Sequence, residues 1–294
     1  MTTLEDFRAA PLHHVDLGSC RVAYRRFGAG PDLVLVHGWP LSGETFRDIV
    51  AALRHDFTCF VPDLPGAGHT PWDDTLDEAF TGYADRMVAF VDALELSHFG
   101  LFGHDSGGAV ARIVASKIPS RVFGLGLTNT EVPDHVPLIG RILQGTAKLP
   151  GSAAMLKPAL RFRPFLRSSL GFGSCFKNLD FIDGAFAATA LAAAREDPAR
   201  ALTILRRADL SWAHRCAEVH AAIEAPLVAV WGDDDPFFPY SGAQRMVDAW
   251  PVRAELHRLS GYRLFVHEEA PDEVTRIVGP FLLDAARPPS ASPG

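Results

Sequence analysis

The residues whose types and spacing best suit covalent chemistry are Gly103-His104-Asp105-Ser106-Gly107-Gly108. A nucleophile set between a buried strand and a helix needs small residues two before and two after it, because the turn is too sharp for side chains there. Gly103 and Gly107 meet that demand around Asp105. The N-terminus of the helix that follows also favours a negative charge. The competing reading makes Asp105 a plain helix cap. Ser106 is a second candidate nucleophile, but a turn centred on it needs a small residue at 104, where His104 stands. Ser106 then serves through its backbone N–H, as one donor of an anion hole. The other donor is the Trp39 N–H of His37-Gly38-Trp39-Pro40, one strand–helix–strand unit earlier. His37 is expected to brace that turn, and His104 to be structural.

Apolar runs position these residues. Asp32–Val36, Phe57–Val61, His98–Gly103 and Val122–Thr128 read as buried strands. Helical spacing separates them over Glu44–His55, Phe80–Leu94 and Ser106–Lys117. The alternation implies a parallel sheet covered by helices on both faces, with His13–Leu17 and Arg21–Phe27 as an antiparallel edge. From Glu131-Val132-Pro133 to about Ala222 the segment reads as helical, rich in alanine and phenylalanine and broken by prolines. The strand rhythm resumes at Leu227–Trp231 and Arg253–Leu259, before a last helix over Ala270–Ala286. The expected organisation is an α/β core over 1–131 and 223–286, a helical cap over 132–222, and a disordered tail over 287–294.

The chain has 294 residues, 48% hydrophobic and 21% charged, enough for a sizeable core. A net charge of −7 argues against a nucleic-acid partner. Cys20, Cys59, Cys175 and Cys216 lack CxxC spacing, so neither a metal site nor a disulfide framework is expected. The start of the chain shows no apolar leader, and no run of about 18 apolar residues occurs anywhere. A cytoplasmic protein with a small-molecule substrate, no cofactor and no membrane partner is the expectation. The sequence assigns no oligomeric state.

Taken together, HGWP, PDLPGAG (Pro62–Gly68), GHDSGG, a helical insertion and WGDDDPFFP (Trp231–Pro239) resemble the α/β-hydrolase superfamily over residues 10–286. An aspartate at the elbow resembles its haloalkane dehalogenase, haloacetate dehalogenase and epoxide hydrolase branches. The resemblance implies that Asp105 attacks carbon to form an ester, which a histidine-activated water then hydrolyses. It also implies an orienting acid before a proline after the strand Leu227–Trp231, which selects Asp235. In some dehalogenases this acid follows the fourth strand, where Asn129 stands here, with Glu131 two residues on.

The histidine departs from the pattern. The family's His stands seven residues before the proline of the final helix, and counting back from Pro271 gives Leu264. Three readings stay open: His267 is the base, the site lacks a base, or the chemistry needs no ester hydrolysis. Substrate signals are also incomplete. The tryptophan that holds a halide directly after the nucleophile is Ser106 here, and the helical insertion has no tyrosine to protonate an epoxide. Trp39 and Trp212 are the candidate indole donors, Trp212 and Leu264 the candidate pocket residues. The dehalogenase reading is favoured, with epoxide hydrolysis, lyase or cyclase chemistry, and a binding role without catalysis as alternatives.

Overall fold

Strands that read as unbroken apolar runs must be buried on both faces, because no polar side is available to meet water. In the computed structural model, which describes residues 3–73, 75–76 and 79–287, they lie inside one eight-stranded sheet. The strands are β1 (His13–Asp16), β2 (Arg21–Phe27), β3 (Asp32–Val36), β4 (Thr58–Pro62), β5 (Phe99–His104), β6 (Val122–Thr128), β7 (Leu227–Gly232) and β8 (Ala254–Leu259). Their order is β1-β2-β4-β3-β5-β6-β7-β8. β1 and β2 run antiparallel at one edge and the rest are parallel. Every residue of β4, β5, β6 and β7 is buried, whereas β1 is mostly exposed, as its edge position allows.

Two apolar layers cover the sheet. On one face lie the helices Ala79–Ala93, Ser106–Lys117 and Tyr240–Asp248, which contribute Phe90, Val110, Val114 and Ala243 to a single cluster. On the other, the helices Arg47–Leu53 and Pro271–Ala285 insert Ile49, Val50, Val274, Val278 and Leu282. Each such side chain larger than alanine contributes roughly 1.5–3 kcal/mol relative to an exposed one. The four cysteines are buried free thiols.

Between β6 and β7 the chain is helical, from Leu138–Ala147 through Pro198–Arg207 to Cys216–Ala221, and it contains no strand. Phe176 and Phe186 bury fully there and pack against Phe265 from the loop after β8, Phe176 stacked at 4.7 Å between ring centroids and Phe186 tilted at 5.3 Å. These aromatic contacts tie the helical segment to the loop after β8, and Phe265 in turn meets His104 at the end of β5 with ring centroids 5.4 Å apart. Phe162, by contrast, is 60% exposed. No helix among the described residues is long and apolar enough to cross a membrane. The tail expected to be disordered lies, beyond Arg287, outside the described residues.

Candidate active site

The elbow at the end of β5 has the strained geometry its sequence calls for. Asp105 has φ 50° and ψ −138°, a region that costs a non-glycine residue on the order of 1–3 kcal/mol. The turn is possible because a β-carbon at Gly107 would stand 2.1 Å from the Val36 carbonyl oxygen, and one at Gly103 would stand 2.7 Å from Gly108 Cα. The backbone is pinned on each side: Asp105 N–H donates to the Asn129 carbonyl at 3.0 Å, and Gly108 N–H to the Asp105 carbonyl at 2.8 Å. The side chain makes no helix-capping hydrogen bond, so the capping reading of Asp105 fails on geometry.

Instead the Asp105 carboxylate turns toward the end of β3. Its Oδ2 accepts from Trp39 N–H at 3.1 Å and from the Ser106 hydroxyl at 3.3 Å, and the Ser106 backbone N–H also faces the carboxyl. Trp39 and Ser106 thus come together on one oxygen. Among the described residues no hydrogen bond reaches Oδ1. Burial, and then the charge of Glu131, push the Asp105 carboxyl well above its ordinary range, against the opposing pull of those N–H donors.

Asp105 lines a cavity of about 170 Å³. Its other walls include Glu131, Leu264, Phe172, Phe237 and Leu143, so the carboxylate opens onto a mostly apolar space. A more polar cleft of about 600 Å³, lined by His69, Glu196 and Arg200, lies on the other side of Trp39 and Ser106.

Asp235 is the buried member of the acidic run. Its Oδ2 accepts from Asn129 Nδ2 and its Oδ1 from Phe237 N–H, both at 2.8 Å. Burial raises its carboxyl to about 7, with Asn129 holding it back from rising further. Asp233 instead takes the Gly261 N–H and pairs with Arg258. Asn129 also bonds Gly232 at both its N–H and its carbonyl, tying the end of β6 to the end of β7. Among the described residues, no imidazole hydrogen-bonds to Asp235.

The structure does not bring His267 to this site. His267 is fully buried in a one-turn helix, Val266–Glu269, with Nε2 2.7 Å from Thr45 Oγ1. The Thr45 proton goes to Glu268 Oε1 at 2.6 Å, so His267 Nε2 is the donor of that pair. The ring lies 3.8 Å from that of His104, centroid to centroid, and neither Asp105 nor Asp235 is among its hydrogen-bond partners. Burial, followed by His104 and Arg47, holds it well below the usual imidazole range. Leu264 occupies the cavity wall in its place.

Two other candidates are also redirected. The Trp39 indole donates to the Ala201 carbonyl at 2.9 Å and is not free for a ligand. Trp212 is absent from the cavity wall; it packs over the Arg112 guanidinium at 4.6 Å and edge-on to Phe80. What the sequence left without a role is the group behind Glu131. The buried Arg112 donates to the Glu131 carbonyl at 2.8 Å and to Thr130 Oγ1 at 3.0 Å. Its visible signal is Glu131 itself, three residues past the end of β6 in the run TNTE.

Known proteins extend this picture. A model of the alpha/beta hydrolase fold matches residues 31–271. "Haloalkane dehalogenase 2" of Mycobacterium tuberculosis is 27% identical over 261 residues, covering 88% of this chain and 90% of that protein. A "Soluble epoxide hydrolase" of Corynebacterium sp. is 38% identical over 105 residues, 34% of each chain. Among solved structures, the haloalkane dehalogenase DbeA from Bradyrhizobium elkani superposes with a TM-score of 0.73 at 22% identity, over 94% of this chain and 99% of that one. The sheet order, the elbow after β5 and the family match agree, and the chain belongs to the alpha/beta hydrolase fold family.

Proposed function

We propose that this chain is a cofactor-free hydrolase in which Asp105 attacks carbon of a small, mostly apolar electrophile and forms an ester that water then cleaves. The observation that carries the reading is the division of labour within one carboxylate. Oδ2 is held by the Trp39 N–H and the Ser106 hydroxyl, Oδ1 has no hydrogen-bond partner among the described residues, and the residue lines an apolar cavity. A carboxylate fixed at one oxygen presents the other in a defined direction, which supplies the orientation a displacement needs. Once Oδ1 carries the alkyl group, Oδ2 becomes the ester carbonyl oxygen. The backbone N–H groups of Trp39 and Ser106 then stabilise the oxyanion that forms when water adds.

Asp235 acts in this reading as a positioning residue. It holds Asn129 and Phe237 rather than orienting an imidazole, since position 264 is leucine. The helical segment over 132–222 serves as a cap whose Leu143 and Phe172 shape the substrate space. Haloalkanes and epoxides share this first step, and similarity to the mycobacterial dehalogenase supports a halide leaving group. The test is rapid-quench intact-mass analysis with short bromoalkanes and a styrene-type epoxide. A mass increase equal to the alkyl group is expected, lost in Asp105→Ala. No adduct and no product with any electrophile sinks the reading in favour of a binding role.

A further inference from the structure

Glu131 is a carboxyl that the ester-forming scheme does not yet use. Its side chain is 13% exposed and lines the same cavity as Asp105. The Asp105 backbone and the Glu131 carboxyl meet at one hydroxyl, because Thr130 Oγ1 lies 2.7 Å from the Asp105 carbonyl oxygen and 2.8 Å from Glu131 Oε2. That hydroxyl also accepts from Arg112 Nη2 at 3.0 Å. A hydroxyl has one proton to give. With the Thr130 proton on the Asp105 carbonyl, the contact to Glu131 Oε2 is completed only if Glu131 supplies the hydrogen. In that placement Glu131 is protonated beside an ionised Asp105, the form that can react; with the Thr130 proton on Glu131 Oε2 instead, Glu131 carries the charge that raises Asp105. Arg112 Nη2 stands 3.9 Å from Oε2, near enough to steady the anion when the proton leaves. The other ionisable groups on this cavity are His135, whose Nε2 meets the Phe237 carbonyl at 2.9 Å, Cys175, Tyr83 and Asp209, which pairs with Arg215.

We infer that Glu131 is a second catalytic residue, giving its proton to a leaving oxygen and then taking one from water, which fits the site to epoxides and related strained C–O electrophiles. This rests on the ester-forming role of Asp105. In the first step an Asp105 Oδ1 lone pair forms a bond to the ring carbon, the C–O bond breaks, and the ring oxygen takes the Glu131 proton. The product is a β-hydroxyalkyl ester on Asp105, with Glu131 ionised. In the second step Glu131 removes a proton from water as the water oxygen adds to the ester carbonyl carbon. The resulting oxyanion lies on the Trp39 and Ser106 N–H groups. Collapse breaks the bond from the carbonyl carbon to Oδ1's alkoxide, which leaves as the diol after taking a proton. The two carboxyls finish with the one proton they began with. Alkylation also removes the Asp105 charge, so repulsion no longer favours the proton on Glu131 at the moment it must act as a base; with a bromoalkane, whose leaving group takes no proton, Glu131 releases it to solvent. Glu131 thereby fills two vacancies, that of the missing tyrosines and that of the missing histidine.

Glu131→Gln separates the steps, since a bromide leaves without a proton and an epoxide oxygen does not. Adduct formation with a bromoalkane should proceed at least as fast as in the unaltered chain, but the adduct should persist, with hydrolysis slowed on the order of 10²–10⁴-fold. With styrene oxide the adduct itself should form more slowly by a similar factor. Glu131→Ala with added formate should recover hydrolysis of the bromoalkane adduct, and alkylation reports that the site is folded. Equal adduct lifetimes in Glu131→Gln and the unaltered chain overturn the assignment. So does an equal slowing of alkylation by both electrophiles, which marks a structural role. No adduct even in the unaltered chain removes Asp105 as nucleophile, and Glu131's role with it.

Discussion

At the scale of single residues, the site is defined by where imidazoles are and are not. Leu264 shares the cavity wall with Asp105, while His267 gives its Nε2 proton to Thr45. Leu264→His should shorten the lifetime of an Asp105 adduct at least tenfold, because a positioned imidazole accelerates water attack by about 10²–10⁴-fold. An unchanged lifetime means that side chain does not reach the ester. His267→Gln should leave the lifetime within about twofold and lower stability by roughly 1–3 kcal/mol, the cost of disturbing a buried hydrogen-bonded group. Urea unfolding and single-turnover decay separate the two effects. A long-lived adduct in His267→Gln would return that histidine to the catalytic scheme.

At the scale of elements, the turn that carries His267 is fastened by charge. Glu268 Oε2 lies 2.5 Å from Arg47 Nη2, with side chains 1% and 4% exposed, and so links the turn Val266–Glu269 to the helix Arg47–Leu53. Glu268 Oε1 also accepts from Thr45 and from Arg47 Nη1. Removing one partner strands the other charge in the core. Glu268→Ala should therefore cost about 3–5 kcal/mol in denaturant unfolding. A loss under about 1 kcal/mol would mean the Arg47 charge finds water or another partner. The same anchoring explains why His267 stays behind the elbow: Thr45, Glu268 and His104 already fill its surroundings.

For the whole molecule, the buried carboxyls set a pH dependence with a definite sign. Asp235 is raised from its ordinary value to about 7. An acid with a raised folded-state pKa binds its proton more tightly when folded, so its contribution is fully present below about pH 4, the unfolded range. That contribution is lost as pH rises to about 7 and is constant above. Three pH units correspond to roughly 4 kcal/mol. The stability difference between the unaltered chain and Asp235→Asn should shift by that order between pH 4 and 7.5, with the unaltered chain losing ground as pH rises. A pH-independent difference means the carboxyl is not held in this way. Asp105 and Glu131, also raised by burial, add to the trend with the same sign.

The sequence by itself determined the sheet, the helical segment before β7 and the elbow. Those depend on local rules: apolar runs make strands buried on both faces, and glycines flank Asp105 because nothing larger fits at 103 and 107. The antiparallel edge and the approach of Trp39 and Ser106 to the Asp105 carboxylate were legible for the same reason, since each follows from a short motif. Tertiary structure alone decided which way the longer-range groups point. Leu264 precedes the turn Val266–Glu269 and lines the cavity, whereas His267 within that turn packs against Thr45 and His104. The Trp39 indole is committed to a carbonyl 162 residues away, and Trp212 to Arg112. Asn129 and Asp235 meet only because β6 and β7 are adjacent, and Glu131 joins Asp105 only through Thr130 and a shared cavity. Spacing along the chain does not encode such meetings, because they depend on how separate strand ends are brought side by side.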